Sequence, residues 1–154
     1  MSIRLDHIDL SILRALQNDG RMTNAELAEQ VFLSPTPCLR RVKRLEKLGV
    51  IDHYTAEINR SLVGIEISAF VFVQLQRNSK KNAHNFEQAV AELNEVQECF
   101  VVTGEYDYLL NVATTNLKSY DEFIKEKLGD IETVSKVDTT IVLNQVKSRR
   151  QLPL

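Results

Sequence analysis

Residues Leu33–Ile51 read LSPTPCLRRVKRLEKLGVI, a segment that predicts a short helix with a strongly basic surface. Ser34 stands where a helix N-cap belongs, and two prolines follow in the first turn, where the N–H groups have no intrahelical partner to lose. Gly49 marks the end of the helix. Apolar residues recur at helical spacing and predict one buried face, made of Leu39, Val42, Leu45 and Leu48.

The opposite face of this helix is polar and basic. It is expected to carry Thr36, Arg40, Lys43, Arg44 and Lys47. Glu46 is the one acid between residues 34 and 48. A basic amphipathic helix is often only a solvated surface helix, so its meaning depends on what surrounds it.

Two capped helices precede this segment. The first is expected to begin near Asp6, and the second opens with a capping box in which Thr23 and Glu26 satisfy each other's backbone N–H groups. Phe32 and Leu33 make the following turn. Val50–Ile58 is rich in strand-forming residues and predicts one or two short strands. Together these elements match a winged helix-turn-helix, which offers its second helix to the major groove of DNA.

The remaining residues predict a strand–helix–strand–strand–helix–strand order, the ferredoxin-like split unit. Two helices then cover one face of a four-stranded antiparallel sheet. Apolar strand positions such as Phe70, Phe72 and Leu109 leave the other face apolar, which favours self-association. The expected strands are 69–76, 96–103, 106–114 and 134–146, with helices around 86–93 and 117–128.

The fold class is therefore α+β, with a winged helix-turn-helix domain at 1–60 and a ligand-binding and oligomerisation domain at 61–154. The 154 residues carry a net charge of −2, but this sum hides the basic segment and a mildly acidic second half. No apolar run approaches the length of a membrane span, and no signal peptide is evident, so a cytoplasmic protein without membrane association is expected.

The residue inventory argues against an enzyme or a metal protein. Cys38 and Cys99 are far apart in sequence, and the three histidines have no ligand spacing, so neither a disulfide framework nor a metal site is expected. No phosphate-binding glycine loop, His-Glu-x-x-His motif or nucleophile–base arrangement is present. Neither catalytic residues nor a cofactor are predicted.

Several segments together resemble the Lrp/AsnC (leucine-responsive regulatory protein/asparagine regulator) family of transcription factors, and the likeness covers nearly the whole chain. The serine–proline run looks most like the leucine-responsive branch. The segments that carry the resemblance are 9–13 (DLSIL), 33–38 (LSPTPC), 41–46 (RVKRLE), 49–51 (GVI) and 103–110 (TGEYDYLL).

The resemblance implies a sequence-specific transcription regulator that responds to an amino acid and controls amino-acid metabolism genes. It implies a second domain of the RAM type, similar to ACT domains. Its partners would be double-stranded DNA and a small amino acid such as leucine or methionine. Homodimers would form through the sheets of the second domain and assemble into octamers, as tetramers of dimers. The effector's identity, the operator and the direction of regulation stay open.

Candidate DNA-binding residues lie on and before the basic helix. Residues at its leading end are expected near base edges, the arginines near guanine or phosphate, and the lysines near phosphate. Ser34 alternatively only caps the helix, and Arg41 and Lys43 alternatively pair with Glu46. The candidates are Ser34, Thr36, Pro37, Arg40, Arg41, Lys43, Arg44 and Lys47.

Candidate effector residues lie in and around the hairpin turn between the second and third strands of the second domain. Gly104 either serves the turn alone or exposes backbone N–H groups that hold a carboxylate. Asp107 either makes a turn hydrogen bond or accepts from the ligand's ammonium group. The two tyrosines wall the site or only pack. The candidates are Thr103, Gly104, Glu105, Tyr106, Asp107 and Tyr108.

Two other functions compete with DNA-binding regulation. The second domain alone suits a metabolite sensor without DNA binding, which the first sixty residues argue against. A helix-turn-helix also serves as a protein–protein adaptor, but an adaptor has no need of the basic face.

Overall fold

The computed structural model of the chain describes residues 3–76, 79–148 and 151–154. These residues form two compact units. The first contains the chain up to Glu57 together with the described residues from Lys147 onward, and the second contains those between Ile58 and Val146.

The first unit is a three-helix domain whose helices begin at the predicted caps. Asp6 caps α1 and Thr23 caps α2, and both caps are reciprocal, with the third helical residue bonding back to the cap N–H. The helices are α1 (His7–Asn18), α2 (Asn24–Gln30) and α3 (Pro35–Lys47). Their core consists of Ile12, Leu13, Ala15, Leu27, Ala28, Val31, Cys38 and Leu45.

The buried face of α3 differs from the predicted one. Cys38 and Leu45 are fully buried, whereas Leu39 and Leu48 are 41% and 43% exposed. The core therefore contacts the α3 face that contains Cys38, Val42 and Leu45. Leu39 directly follows Cys38, so its side chain points about 100° away from that of Cys38 around the helix axis. The apolar spacing alone was compatible with a buried Leu39.

The predicted strands of the wing are not formed. Residues 52–59 contain no strand, and every one of these residues is exposed. A strand needs a neighbouring strand to pair its backbone groups, and the first unit supplies none among its described residues. Strand-forming composition alone was therefore a misleading signal here.

The end of the chain packs on the first helix of the first unit. The Arg14 Nε donates to the Leu154 carbonyl at 2.8 Å, and the Leu152 N–H donates to Gln17 Oε1 at 2.6 Å. The expected second domain ran to residue 154, whereas these contacts place the last residues with the first unit.

The second unit has the predicted strand and helix order. A short 3₁₀ turn, Ser61–Val63, leads into it. Its strands are β1 (Ile67–Leu75), β2 (Val96–Val101), β3 (Tyr108–Thr114) and β4 (Val134–Ile141), and its helices are α4 (Lys80–Ala91) and α5 (Leu117–Glu122), which continues as π-helix over Phe123–Leu128. The sheet is antiparallel with the spatial order β2-β3-β1-β4, the ferredoxin-like arrangement.

Both helices pack on one face of this sheet. The core between them includes Val71, Val73, Leu110, Phe86 and Phe123, each at most 1% exposed. The alternate strand positions face away from the helices, as the period of two requires. Across the described residues, no helix is long and apolar enough to cross a membrane.

Candidate nucleic-acid and effector sites

The first candidate site is the exposed face of α3. Most predicted DNA contacts lie there: Ser34, Thr36, Arg40, Lys43, Arg44 and Lys47 are all exposed, while Pro37 and Arg41 are half-buried. From Thr36 onward the exposed residues recur at steps of three and four, so they form a single stripe along the helix, with Ser34 just before its start.

Ser34 does not use its side chain as a helix cap. It occupies the N-cap position in an extended conformation, but its hydroxyl makes no capping hydrogen bond. A serine cap usually accepts from the second or third helical N–H, and the third position is Pro37, which has none. The exposed hydroxyl thus remains available to another partner.

Arg41 and Arg44 are held by α1 rather than presented freely. Arg41 Nη1 lies 2.8 Å from Asp6 Oδ2 and 2.9 Å from Asp9 Oδ1, and Arg44 Nη2 lies 2.5 Å from Asp9 Oδ2. Arg41 therefore pairs with these two aspartates and not with Glu46, which instead accepts from the Tyr54 hydroxyl at 3.0 Å. These ion pairs fix the orientation of α3 on α1.

The Asp9 carboxylate is 1% exposed, which makes it the buried centre of this network. Burial opposes its ionisation, but hydrogen bonds from the Asp6 N–H and the two arginines outweigh burial and lower the pKa of Asp9. The Asp9 N–H and then Arg41 lower the pKa of Asp6 to about 2. Both carboxylates are therefore ionised at neutral pH, and both hold arginine.

The second candidate site is the turn from residue 102 to 107. Gly104 has a φ of 118°, a conformation that side chains rarely permit. The backbone N–H groups of Thr103, Gly104 and Glu105 make no hydrogen bond to the described part of the chain. Such consecutive exposed N–H groups attract anions, including carboxylates.

Asp107 and Tyr108 have structural contacts in the chain itself. Asp107 Oδ2 accepts from the Leu75 N–H at 2.8 Å, so this carboxylate extends the pairing of the sheet at the end of β1. Tyr108 is 3% exposed, and its hydroxyl donates to Glu87 Oε1 at 2.8 Å. Burial, followed by this hydrogen bond, raises the pKa of Tyr108 well above its ordinary value.

Tyr106 lies on the opposite face of the sheet from Tyr108. Its ring centroid is 5.3 Å from that of Phe72, whereas the Tyr108 ring lies 4.5 Å from Phe86 of α4. Side chains two positions apart on a strand normally share a face of the sheet. Here the Asp107 N–H donates to the carbonyl of Val73, which is already the register partner of Tyr108. Two consecutive residues thus lie opposite one, and the alternation of side chains is shifted before Tyr108. One predicted site is thus divided between two faces.

A polar cluster surrounds Tyr106 that the sequence did not predict. The Tyr106 hydroxyl donates to Asp138, and Lys136 Nζ lies 2.9 Å from Glu105 Oε1 and 2.9 Å from the Tyr106 hydroxyl. Hydrogen bonds to Tyr106 and to the carboxylates raise the pKa of Lys136. Strand β4 supplies two of these residues, and only its pairing with β1 brings them near the turn.

A cleft of about 300 Å³ lies between α4 and β2. Val101 and Tyr108, which flank the turn, are part of its wall. The lining is mainly apolar, with two carboxylates at its margin: Glu87, Val90, Ala91, Val96, Gln97, Glu98, Cys99, Val101 and Tyr108. Its dimensions suit a small organic molecule. In the described ranges, no three His, Cys, Asp or Glu side chains are placed to bind a metal.

Comparison with known protein families agrees with both halves of the molecule. A winged helix-turn-helix DNA-binding model matches residues 5–52, and an Lrp/AsnC ligand-binding domain model matches residues 68–152. Leucine-responsive regulatory proteins are similar over almost the whole chain. That of Rhizobium meliloti is 43% identical, covering 99% of this chain and 97% of that protein, and that of Escherichia coli is 40% identical, covering 96% and 90%.

Solved structures agree at the level of the fold. A transcriptional regulator from Neisseria meningitidis, determined in complex with L-methionine, is 38% identical and superimposes with a TM-score of 0.94, covering 97% of both chains. An AsnC-family regulator from Agrobacterium tumefaciens is 34% identical, with a TM-score of 0.92 and the same coverage. With a DNA-binding domain and an amino-acid-binding domain in this order, the protein is a regulator rather than an enzyme, and the chain belongs to the Lrp/AsnC family of transcription regulators.

Proposed function

We propose that this chain is a cytoplasmic, homo-oligomeric regulator that reads DNA with α3 and senses an apolar amino acid at the 102–107 turn. The observation that carries the proposal is the stripe of exposed polar and basic residues along α3, placed on a helix-turn-helix. A test of DNA binding with this stripe removed is described in the Discussion. The genes it controls are proposed to be those of amino-acid metabolism, by analogy with the leucine-responsive relatives.

The residues of α3 divide into two roles. We propose that Ser34, Thr36 and Pro37, at the leading end, meet base edges and that Arg40 meets guanine or phosphate. Lys43 and Lys47 then bind phosphate and set the register on the duplex.

Arg41 and Arg44 position the helix through Asp9. Arg44 is 45% exposed, so its remaining guanidinium nitrogens are available to phosphate as well. Arg41 is 28% exposed and is paired with both Asp6 and Asp9, which favours a positioning role alone.

The effector site is proposed at the turn and the adjoining cleft. Free N–H groups around Gly104 are suited to the effector's carboxylate, and Asp107 offers negative charge to its ammonium group, whereas Glu105 is already paired with Lys136. The apolar walls of the cleft suit an apolar side chain, while Glu87 and Glu98 at its margin disfavour an acidic one. Leucine and methionine fit this description, and the methionine complex of the Neisseria meningitidis regulator is consistent with it.

Asp107→Asn provides a test of the effector site that leaves the fold intact. The asparagine carbonyl still accepts from the Leu75 N–H, but the negative charge for an ammonium group is lost. A ligand that binds only the native state raises the free energy of unfolding. We expect this free energy to rise by about 2.7 kcal/mol for the wild type at an effector concentration of 100 times the Kd. The variant should lose most of this gain. Thermal unfolding with each of the twenty amino acids measures both.

The matched control is Asp130→Asn, an exposed carboxylate of the same unit outside the turn, which should respond as the wild type does. If no amino acid stabilises the wild type, or if Asp107→Asn responds fully, the proposed effector site is wrong.

Self-association is proposed through the sheet face that the helices leave open. Phe70 and Phe100 lie on this face and are 39% and 46% exposed, beside Phe72 and Leu109. Exposed aromatic residues grouped on one sheet face are typical of an interface. Dimers formed in this way would present two copies of α3 to successive half-sites, and octamers would extend the array.

The variant Phe70→Asp/Phe100→Asp tests this interface, since two buried charges facing their own copies cannot be paired. We expect its mass in light scattering to fall to the 17.6 kDa of a single chain. Leu117→Asp changes a leucine that is 59% exposed at the start of α5, on the helix side, and should leave the mass unchanged. An unaltered mass in the double variant contradicts the proposed interface.

A further inference from the structure

The turn between α2 and α3 has an aromatic residue where glycine is usual. The Leu33 N–H donates to the Ala28 carbonyl at 2.8 Å, and the Phe32 N–H donates to the Glu29 carbonyl at 3.2 Å. These are the two hydrogen bonds of a Schellman motif, whose residue after the helix is left-handed. Phe32 holds that position with a φ of 56°.

The same chain forms the same motif with glycine at the end of α3. The Val50 N–H donates to the Leu45 carbonyl at 2.9 Å, and Gly49 donates to Glu46 at 2.9 Å with a φ of 68°. A left-handed conformation is unfavourable for a residue with a Cβ and free of that cost for glycine. The turn therefore does not require phenylalanine.

Packing does not account for Phe32 either. Its side chain is 94% exposed, so it contributes almost nothing to the core of the first unit. An aromatic side chain that is both exposed and conformationally unfavourable points to a role outside the folded chain.

The position of Phe32 identifies its partner. It precedes the exposed N-cap Ser34 by two residues, so their Cα atoms are within about 7.6 Å of each other. The leading end of α3 is the part of a helix-turn-helix that enters the major groove. With α3 docked as proposed, an exposed side chain this close to its leading end is within reach of the duplex.

We propose that Phe32 contacts DNA through apolar surface at the rim of the major groove, either a thymine methyl group or a deoxyribose. The inference rests on the proposed docking of α3. Apolar contact with a thymine methyl group is a form of base readout. Phe32 would therefore add to the DNA interface a residue that neither its charge nor its hydrogen-bonding capacity would identify.

Phe32→Gly separates this role from a structural one. Glycine removes the unfavourable left-handed side chain, so the melting temperature should rise by roughly 2 to 4 °C. The affinity for a duplex selected from a random pool by the wild type should instead fall about tenfold. Phe32→Tyr keeps the ring and should bind within about twofold of the wild type. Equal affinity of Phe32→Gly and the wild type would overturn the inference.

Two further measurements complete the test. Replacing single thymines of the duplex by uracil removes one methyl group at a time. If one uracil replacement weakens DNA binding by the wild type but not by Phe32→Gly, the contact is with that thymine. If every replacement changes the affinity of the two proteins by the same factor, the contact is with deoxyribose. A fall in oligomer mass for Phe32→Gly in light scattering would overturn the assignment to DNA in favour of a protein contact.

Arg40→Ala distinguishes failure of this inference from failure of the proposed function. If Arg40→Ala loses affinity while Phe32→Gly does not, α3 docks on DNA but Phe32 has no part in it. If both variants bind as the wild type does, the docking of α3 itself is wrong.

Discussion

The variant Arg40→Ala/Lys43→Ala/Lys47→Ala is expected to bind its DNA at least about 100-fold more weakly than the wild type at about 0.1 M salt. The three side chains are exposed on one face of α3 and form no ion pair within the described part of the chain. Their removal therefore leaves the fold and the oligomer unchanged while removing positive charge from the interface.

The control for this variant must change the net charge equally. Lys80→Ala/Lys81→Ala/Lys118→Ala also removes three exposed positive charges, but from the second unit. Gel-shift titrations should show near wild-type affinity for this control. Equal weakening by the two variants would mean that general charge, rather than α3, governs binding.

Asp9→Asn is expected to lower the free energy of unfolding of the first unit by about 3 kcal/mol. The substitution leaves Arg41 without its buried partner and directs an amide N–H group toward a guanidinium. Chemical unfolding followed by helix content measures the loss. Asp6→Asn is the matched control and should cost much less, because Asp6 is 48% exposed and water replaces the lost charge.

The stabilisation from this network should also depend on pH. Folding lowers the carboxyl pKa of Asp9 and lowers that of Asp6 to about 2, so the contribution is complete above the ordinary value near 3.8. It is lost as the pH falls through the folded-state values. The difference in stability between the wild type and Asp9→Asn should therefore be full at neutral pH and shrink as the pH falls below about 4. A difference that is absent at neutral pH would contradict the role assigned to Asp9.

Local signals in the sequence predicted most of the fold. The caps at Asp6 and Thr23 depend on residues three positions away, and the two-residue and helical periodicities depend on neighbours within a few positions. The sheet order then follows from the order of the elements, because few arrangements of a split unit are possible. All these features are encoded over short distances in the chain.

Features that depend on distant partners were not predictable. Asp9 meets Arg41 and Arg44 across 32 and 35 residues, and nothing in the local pattern marks a helix-starting aspartate as buried. The division of Tyr106 and Tyr108 between two sheet faces follows from one irregular backbone bond to Val73. A strand-forming segment at 52–59 has the right composition but no partner strand in its unit.

Phe32 was predicted to lie in the turn, but its conformation was not. Glycine is the usual signal for a left-handed helix end, and the sequence has none between Gly20 and Gly49. The hydrogen bonds from Phe32 and Leu33 to the last turn of α2 are what reveal the left-handed residue. A site residue of this kind is recognised only from backbone geometry and exposure together.

The salt dependence of DNA binding tests most directly whether α3 lies on the duplex. Arg40, Lys43 and Lys47, counted in both copies of α3 in a dimer, imply a slope of log affinity against log salt of at least roughly −5, to which Arg44 can add. The triple variant Arg40→Ala/Lys43→Ala/Lys47→Ala should lose most of this slope, and the charge-matched variant of the second unit should keep it. A flat titration for the wild type, or an unchanged slope in the α3 variant, would contradict the docking of α3 on DNA.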